Sequence, residues 1–443
     1  MSRPNSPTPS VCLISRQRII GKTNGSSVYI LNIVEYLRAK GFHVHYISPS
    51  PATFGRWPFI RLRPETDVFE SIRIRGSVKL GRFLILLDPT VVWHAAVAVL
   101  DRFLARRGLS KRRFGKRAPY SIAVPLSDRD SKFLARHVPR LADVLLLDYA
   151  FLTPTIQYVG RPDAPSIVVM HDLFSARASQ FQSVRQVDSA ATISEDDEMA
   201  LLSAADLVVA IQGEEAAIVR SRLPDHRVVV APIAVQPEDD ISVGEPDNLL
   251  FVGSNTAPNI DGLQWFIEEV WPDIHNQRPS ARLLVAGSVA WSYSPQLEGV
   301  EYLGVVSDLA AVYRCAGIVI SPLRVGSGLK IKLVEALGWG KAVVATSVTA
   351  QGVKSLVKDA VVIADSASEF ANQTLNLMSD EDRRRRYANR ALELARNHFS
   401  QEACYRGILT FIAEHSRSKI AASRWSRPAA GSMRSKKSVS SLR

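Results

Sequence analysis

Apolar residues along this chain recur in two rhythms that alternate. Short unbroken runs read as strands buried on both faces of a parallel sheet, and longer stretches carry apolar positions three and four apart, as one helix face requires. Val11 to Ser15 is such a run, followed by a polar loop from Arg16 to Asn24. Ser26 to Lys40 then places Val28, Ile30, Leu31, Val34 and Leu37 on one helical side and stops before Gly41. His43 to Ile47, Ala142 to Tyr149 (ADVLLLDY) and Pro165 to Ser175 continue the strands, and Ala204 to Leu223 with Arg227 to Val235 closes the series as strand, helix, strand. Pro237 to Asp247 is acidic, contains Pro and Gly, and reads as a linker. Beyond it the alternation starts again. Phe251-Val252-Gly253 ends a strand, and Asn259 opens a helix packed by Leu263, Trp265, Phe266 and Ile267. Near the end, Gln401 to Glu414 carries Tyr405, Ile408, Leu409 and Ile412 on one side of a last helix.

The pattern predicts an α/β protein of two doubly wound, Rossmann-like domains. Their spans are 11–236 and 248–400, joined by the linker 237–247 and followed by a helix over 401–415. Residues 1–10 and the basic tail 416–443 are expected to be disordered. At 443 residues with 46% hydrophobic content, the chain is long enough to bury two cores.

One segment carries more chemistry than the others. IVISPLRVGSGLKIKLVEALGWGKAVVATSVTAQG, from Ile318 to Gly352, reads as strand, glycine loop, cationic helix and second strand. Gly326 and Gly328 let backbone approach a ligand closely and turn amides toward it. Lys330 and Lys332 add charge beside a helix N-terminus that already favours an anion. Glu335 follows, a carboxylate able to accept two hydroxyls of a ribose. The combination suits a nucleotide diphosphate, although strand-to-helix turns in any parallel sheet use glycine and surface lysines often only solvate a helix. A Walker A loop is excluded, since Gly340-Lys341-Ala342 lies at the wrong end of the helix and lacks the hydroxyl that magnesium requires.

The segment resembles the donor-site signature of the retaining, nucleotide-sugar-dependent glycosyltransferases of GT-B fold, the glycosyl transferases group 1. FVGSNTAPNIDGLQWF (Phe251 to Phe266), ARLLVAGS (Ala281 to Ser288), YLGVVSDLAAVYRCAGIVISPL (Tyr302 to Leu323) and VVATSVTAQGV (Val343 to Val353) follow the family's order. The resemblance implies two domains facing a cleft and a final helix that crosses back to the N-terminal domain. It implies a donor site at Gly25, Gly253, Ser254, Asn259, Val306, Gly326, Ser327, Gly328, Lys330, Lys332 and Glu335, with His171, Lys330 and Glu335 in catalytic roles. His171, at a strand's carboxyl end beside Asp172, would face the transferred sugar or the acceptor. Catalysis of this kind is electrostatic assistance to a leaving diphosphate, with no cofactor and no metal. The chain departs from the family in three places. Asn24-Gly25 replaces a double glycine, Ser254, Asn255 and Asn259 stand where an Arg and a Lys are common, and Val325 stands near the first of two paired glutamates, a role assigned instead to backbone amides near Ser327 and Gly328.

Charge narrows the partners. The formal net charge is +12, yet it is concentrated in two blocks, Arg102 to Arg117 and the acid-free tail after Ser416, so the remainder is mildly acidic. Neither block interleaves stacking aromatics, and no nucleic-acid-binding motif appears. Phe83 to Leu100 (FLILLDPTVVWHAAVAVL) is the most apolar stretch, split by Asp88-Pro89 and too short for a membrane span. It reads either as an ordinary core helix or as an interfacial one that, with the basic block, rests on an anionic membrane. Three widely spaced cysteines, Cys12, Cys315 and Cys404, point to a reducing compartment, and no secretory signal is readable. Asp128-Arg129-Asp130 spells a metal-site tripeptide but lacks the preceding apolar strand and reads as structural. The expected protein is a cytoplasmic glycosyltransferase of polysaccharide biosynthesis, peripheral on the inner face of the membrane under the interfacial reading, taking a nucleotide-diphosphate sugar and a glycan or lipid-linked acceptor. A sugar-nucleotide epimerase of the same fold and a non-catalytic scaffold are the alternatives.

Overall fold

The computed structural model describes residues 9–55, 57–106, 122–138, 142–159, 164–176, 193–326 and 328–425. Ser327, the basic positions from Arg107 to Arg117 and the tail from 426 onward lie outside the described residues.

Ten strands precede the linker: β1 (Ser10–Ile14), β2 (His43–Ser48), β3 (Phe59–Arg61), β4 (Ser71–Ile74), β5 (Ser77–Leu80), β6 (Phe83–Leu86), β7 (Val144–Asp148), β8 (Ser166–Val169), β9 (Leu207–Ala210) and β10 (Val228–Val230). Seven of them form a parallel sheet in the order β10-β9-β8-β7-β1-β2-β4. Val11, Leu13, Val144 and Leu146 are buried on one face and Cys12, Ile14, Leu145 and Leu147 on the other, which is why these runs do not alternate. The order reverses where β1 lies between β2 and β7, and ligands of such sheets bind outside the strand ends at that reversal.

The second sheet comprises β11 (Glu245–Val252), β12 (Arg282–Ala286), β13 (Val300–Gly304), β14 (Ala316–Ser321), β15 (Ala342–Ala345) and β16 (Val362–Ile363). Its order, β13-β12-β11-β14-β15-β16, reverses between β11 and β14. Strand β11 begins at Glu245, inside the stretch expected to be linker, because its first residue already pairs with Ala316. The buried Lys341 ties the linker down by donating to the carbonyls of Ser242 (2.5 Å) and Ala316 (2.8 Å).

Helix α1 (Gly25–Ala39) starts in a capping box, in which the Asn24 side chain accepts from the Ser27 amide and Ser27 Oγ from the Asn24 amide. The last helix, Gln401–Trp425, runs well past 415, so the tail is helical for ten residues longer than its composition predicts. It packs on the N-terminal domain. Tyr405 is fully buried, accepts the Ala234 amide at 3.1 Å and meets the Tyr36 ring edge-on at 5.7 Å. Glu402 accepts from the Tyr36 hydroxyl and pairs with Lys40 at 2.8 Å.

The apolar stretch Phe83 to Leu100 is not one helix. Leu87-Asp88 divides it into β6 and helix α2 (Pro89–Arg106). Strand β6 joins β3 and β5 in a small antiparallel sheet that turns Ile60, Leu84 and Leu86 into the core. Among the described residues, no helix is long and apolar enough to cross a membrane.

Candidate functional site

The glycine loop leaves β14 at the sheet reversal and enters helix α3 (Ile331–Gly338), with Lys330 as its N-cap. A buried hydroxyl network fixes its entry. Thr349 Oγ1 donates to the Ser321 carbonyl at 2.7 Å, Thr346 Oγ1 donates to the Leu323 carbonyl, and the helix 257–265 crosses so closely that a Cβ at Gly262 would stand 2.7 Å from the Pro322 carbonyl. Gly326 and Gly328 hold φ of +130° and +71°, a region that favours glycine. Lys330 Nζ donates to the carbonyls of Gly326 (3.3 Å) and Gly328 (2.8 Å), curling over its own loop. Burial pushes its pKa down from 10.5 to about 8, and nearby Asp172 acts the other way.

Asp172 comes from the opposite domain. A Cβ at Gly328 would lie 3.2 Å from its Oδ1, so the loop of the second sheet and the end of β8 meet across the cleft. Gly25 opens α1 against the same wall, where an added Cβ would lie 2.5 Å from Ile331 Cδ1. A third contact sets Gly352 against Gln212.

His171 sits at the centre of the N-terminal side. Its Nε2 lies 2.6 Å from Asp148 Oδ1 and its ring stacks on Tyr149 with centroids 4.2 Å apart. The Asp148 carboxylate also accepts from Ser15 Oγ and from Gln17 Nε2 at 2.8 Å. With its side chain 7% exposed and one nitrogen bound to Asp148, His171 is an oriented group whose free polar capacity lies at Nδ1. Tyr149 holds φ +73°, the only positive value at a non-glycine position among the described residues, and donates to Ser26 Oγ at 3.1 Å. Glu198 secures the loop beyond His171 by accepting the amides of Phe174 (2.9 Å) and Ser175 (2.8 Å).

Glu215 lies behind Asp172. Burial and the Asp172 charge push its carboxyl up to about 8, and its Oε2 has no hydrogen-bond partner. Burial therefore favours its protonated form near neutrality.

The other expected residues are less gathered. Gly253 follows β11, and Ser254 is held by Asn259 Nδ2, which donates to its carbonyl (2.9 Å) and Oγ (3.1 Å). Asn259 does not open its helix. Thr256 is the N-cap, and Asn259 Nδ2 also donates to Thr256 Oγ1 at 3.0 Å, closing the loop from inside. Pro258, in the same turn, borders Gly326. Val306 lies on the loop after β13, at the same sheet edge but three strands from β14. Lys332 and Glu335 pair with each other at 2.6 Å, so each is neutralised by the other here. Asp130 caps its own helix at Ser127 and pairs with Arg75 at 2.8 Å, which commits its carboxylate to structure.

Residues 246–380 match the family model described as glycosyl transferases group 1. This domain belongs to that family. A 26% identical relative over 198 residues, an uncharacterized 44.6 kDa protein in the cps region of Klebsiella pneumoniae, aligns with 42% of this chain, and the chain spans about half the length of that relative. Among solved structures, sucrose-phosphate synthase from Thermosynechococcus elongatus superposes with a TM-score of 0.61 at 16% identity over 94% of this chain and 100% of that one. A TarM variant of S. aureus, in complex with fondaparinux, alpha-GlcNAc-glycerol and UDP, gives 0.60 at 8% identity over 91% and 99%. HepE from Anabaena in complex with UDP gives 0.53 at 13% over 94% and 100%. At these identities the likeness is one of fold, and the fold is that of the GT-B glycosyltransferases.

Sequence patterns missed Gln17, Asp148, Tyr149 and Glu215. Asp148 had a signal, a carboxylate closing an otherwise apolar strand run. The positive φ of Tyr149 had none.

Proposed function

We propose that the chain is a retaining glycosyltransferase that moves a sugar from a nucleotide-diphosphate donor to a glycan or lipid-linked acceptor without a metal, in cell-surface polysaccharide biosynthesis. One observation carries the reading: Lys330 and its glycine loop, at the reversal of one sheet, face Asp172, which directly follows His171 at the carboxyl edge of the other. A leaving diphosphate accumulates charge as the anomeric bond breaks, and a partly desolvated lysine beside a helix N-terminus stabilises that charge more than it stabilises the ground state. Lys330 then exchanges the Gly326 and Gly328 carbonyls for phosphate oxygens. Glu335 accepts the ribose hydroxyls, and Lys332, released from it, adds a second cation. His171, its ring set by Asp148 and Tyr149, presents a fixed hydrogen-bonding edge to sugar or acceptor hydroxyls. The cps-region relative supports a polysaccharide setting, and the UDP-bound neighbours support a nucleotide-sugar donor.

Incubating the full chain with sugar nucleotides, with and without a glycan or lipid-linked acceptor, tests this. Acceptor-dependent release of nucleoside diphosphate, with a product of unchanged anomeric configuration, is expected. A sugar altered without acceptor identifies an epimerase, and no turnover with retained nucleotide binding identifies a scaffold.

A further inference from the structure

A cavity of about 630 Å³ opens beside the cleft, and none of its lining residues belongs to the cluster around Lys330. Four arginines line it, Arg18, Arg61, Arg63 and Arg82, together with Trp57 and Phe59. Among the described residues, only Arg82 has a carboxylate partner, Asp67 at 2.7 Å. Three exposed guanidiniums without an ion-pair partner among those residues therefore line one cavity, and planar, multidentate donors of this kind suit a multiply charged anion. The arrangement is built into the fold. Arg61 is fixed on β3, the Arg63 amide donates to the Ile20 carbonyl at 2.9 Å, and the β1–α1 loop packs so closely that a Cβ at Gly21 would lie 2.7 Å from Arg63 Cδ. Arg18 directly follows Gln17, whose Nε2 lies 3.3 Å from His171 Nε2, so one wall of the cavity lies one residue along the chain from the His171 cluster.

The surface running away from the cavity is apolar. On the small sheet, Phe59 stands opposite Ile85, and Arg61 opposite Phe83, on the outward side. Val78 and Leu80 extend that side across β5, opposite Ile85 and Phe83 respectively. All five hydrophobic side chains are exposed, Leu80 by 68%. A polyanion pocket continuous with an exposed apolar face matches a molecule having a phosphate head and a hydrocarbon tail.

We propose that this pocket binds the phosphate or diphosphate of a lipid-linked acceptor, with the first part of its hydrocarbon lying along the outer face of β3, β6 and β5. The proposal rests on the glycosyltransferase reading and names that enzyme's acceptor class. Phosphate in the pocket and a sugar or hydroxyl extended past Gln17 would bring the accepting oxygen to His171. Isothermal titration of the full chain with farnesyl diphosphate, inorganic pyrophosphate and farnesol tests it. Farnesyl diphosphate should bind most tightly, pyrophosphate more weakly and farnesol not measurably. Arg61→Ala and Arg63→Ala should each weaken farnesyl diphosphate by roughly tenfold or more, as for a lost charge-assisted contact. Leu80→Ser should weaken farnesyl diphosphate but not pyrophosphate. Equal binding of pyrophosphate and farnesyl diphosphate, or arginine variants that bind like the parent, would overturn the proposal. Nucleoside diphosphate affinity measured on the same variants stays at the parental value if they fold, and its absence in the parent would sink the donor reading instead.

Discussion

Lys330 is the residue on which the proposed donor binding turns, and its environment gives that binding a pH signature. Its pKa is depressed to about 8 by burial, so the ammonium that meets phosphate is progressively lost as pH rises through that value. Nucleoside diphosphate affinity should fall above about pH 8, while Lys330→Arg should hold it there and Lys330→Ala should lose roughly 1.5–3 kcal/mol at neutral pH. Titration calorimetry across pH 6 to 9.5, approximately the range that brackets the shifted value, reads all three. Glu215 gives a stability signature of the opposite chemical type. Its carboxyl is raised from 4.5 to about 8, so the stability it contributes is fully present below 4.5 and is lost as pH rises from there through 8. Glu215→Gln should remove that loss and melt above the parent at pH 9. Equal melting temperatures there would show that Glu215 is not held as an acid. For Glu335, exchange to Gln should weaken donor binding, and a deoxyribose analogue should then lose less affinity in the variant than in the parent. An equal loss would remove Glu335 from the ribose.

At the scale of elements, the cleft is set by helix ends that touch across it. Gly25 at the start of α1 and Ile331 at the start of α3 are packed so that no side chain fits between them. Gly25→Ala should therefore impede closure and weaken donor binding, and Ile331→Ala combined with it should recover most of the loss. Donor affinities that simply add across the two variants would separate that contact from closure. These elements were legible in the sequence because buried parallel strands are unbroken apolar runs and because the glycine loop sits between two of them. The segment 83–100 was legible only in part: its break at Asp88-Pro89 was read, and the strand ahead of that break was not. Composition records that it is apolar, but β6 buries only alternate residues and α2 begins after Asp88, a division set by pairing with β3 and β5. Similarly, the loop Ser15 to Gln17 looks polar yet is buried, because Ser15 and Gln17 serve Asp148 and Arg16 serves the Val124 and Pro125 carbonyls and Asp130, rather than water. Pairings between residues more than a hundred positions apart leave no local pattern.

The whole molecule joins two Rossmann-like domains and a last helix that runs back onto the first of them. That helix bonds to the N-terminal domain through Tyr405, Glu402 and Glu414, the last paired with Arg227 at 2.5 Å. Tyr405→Phe leaves the buried Ala234 amide without an acceptor and should cost about 1–3 kcal/mol in denaturant unfolding. On the same scale, the exposed apolar side chains of the β3-β6-β5 sheet and of α2, including Trp93 at 68% exposure, motivate the proposal that the chain attaches to a membrane surface. Flotation should recover more protein with anionic than with neutral vesicles, and less at high salt. Recovery independent of both would remove the electrostatic part of that attachment. The most direct measurement of the central claim is a crystal structure of the full chain with a nucleoside diphosphate. The account predicts the diphosphate against Gly326 to Gly328, with Lys330 Nζ moved from the Gly328 carbonyl onto a phosphate oxygen. A nucleotide bound elsewhere, with Lys330 still on its own loop, would contradict it.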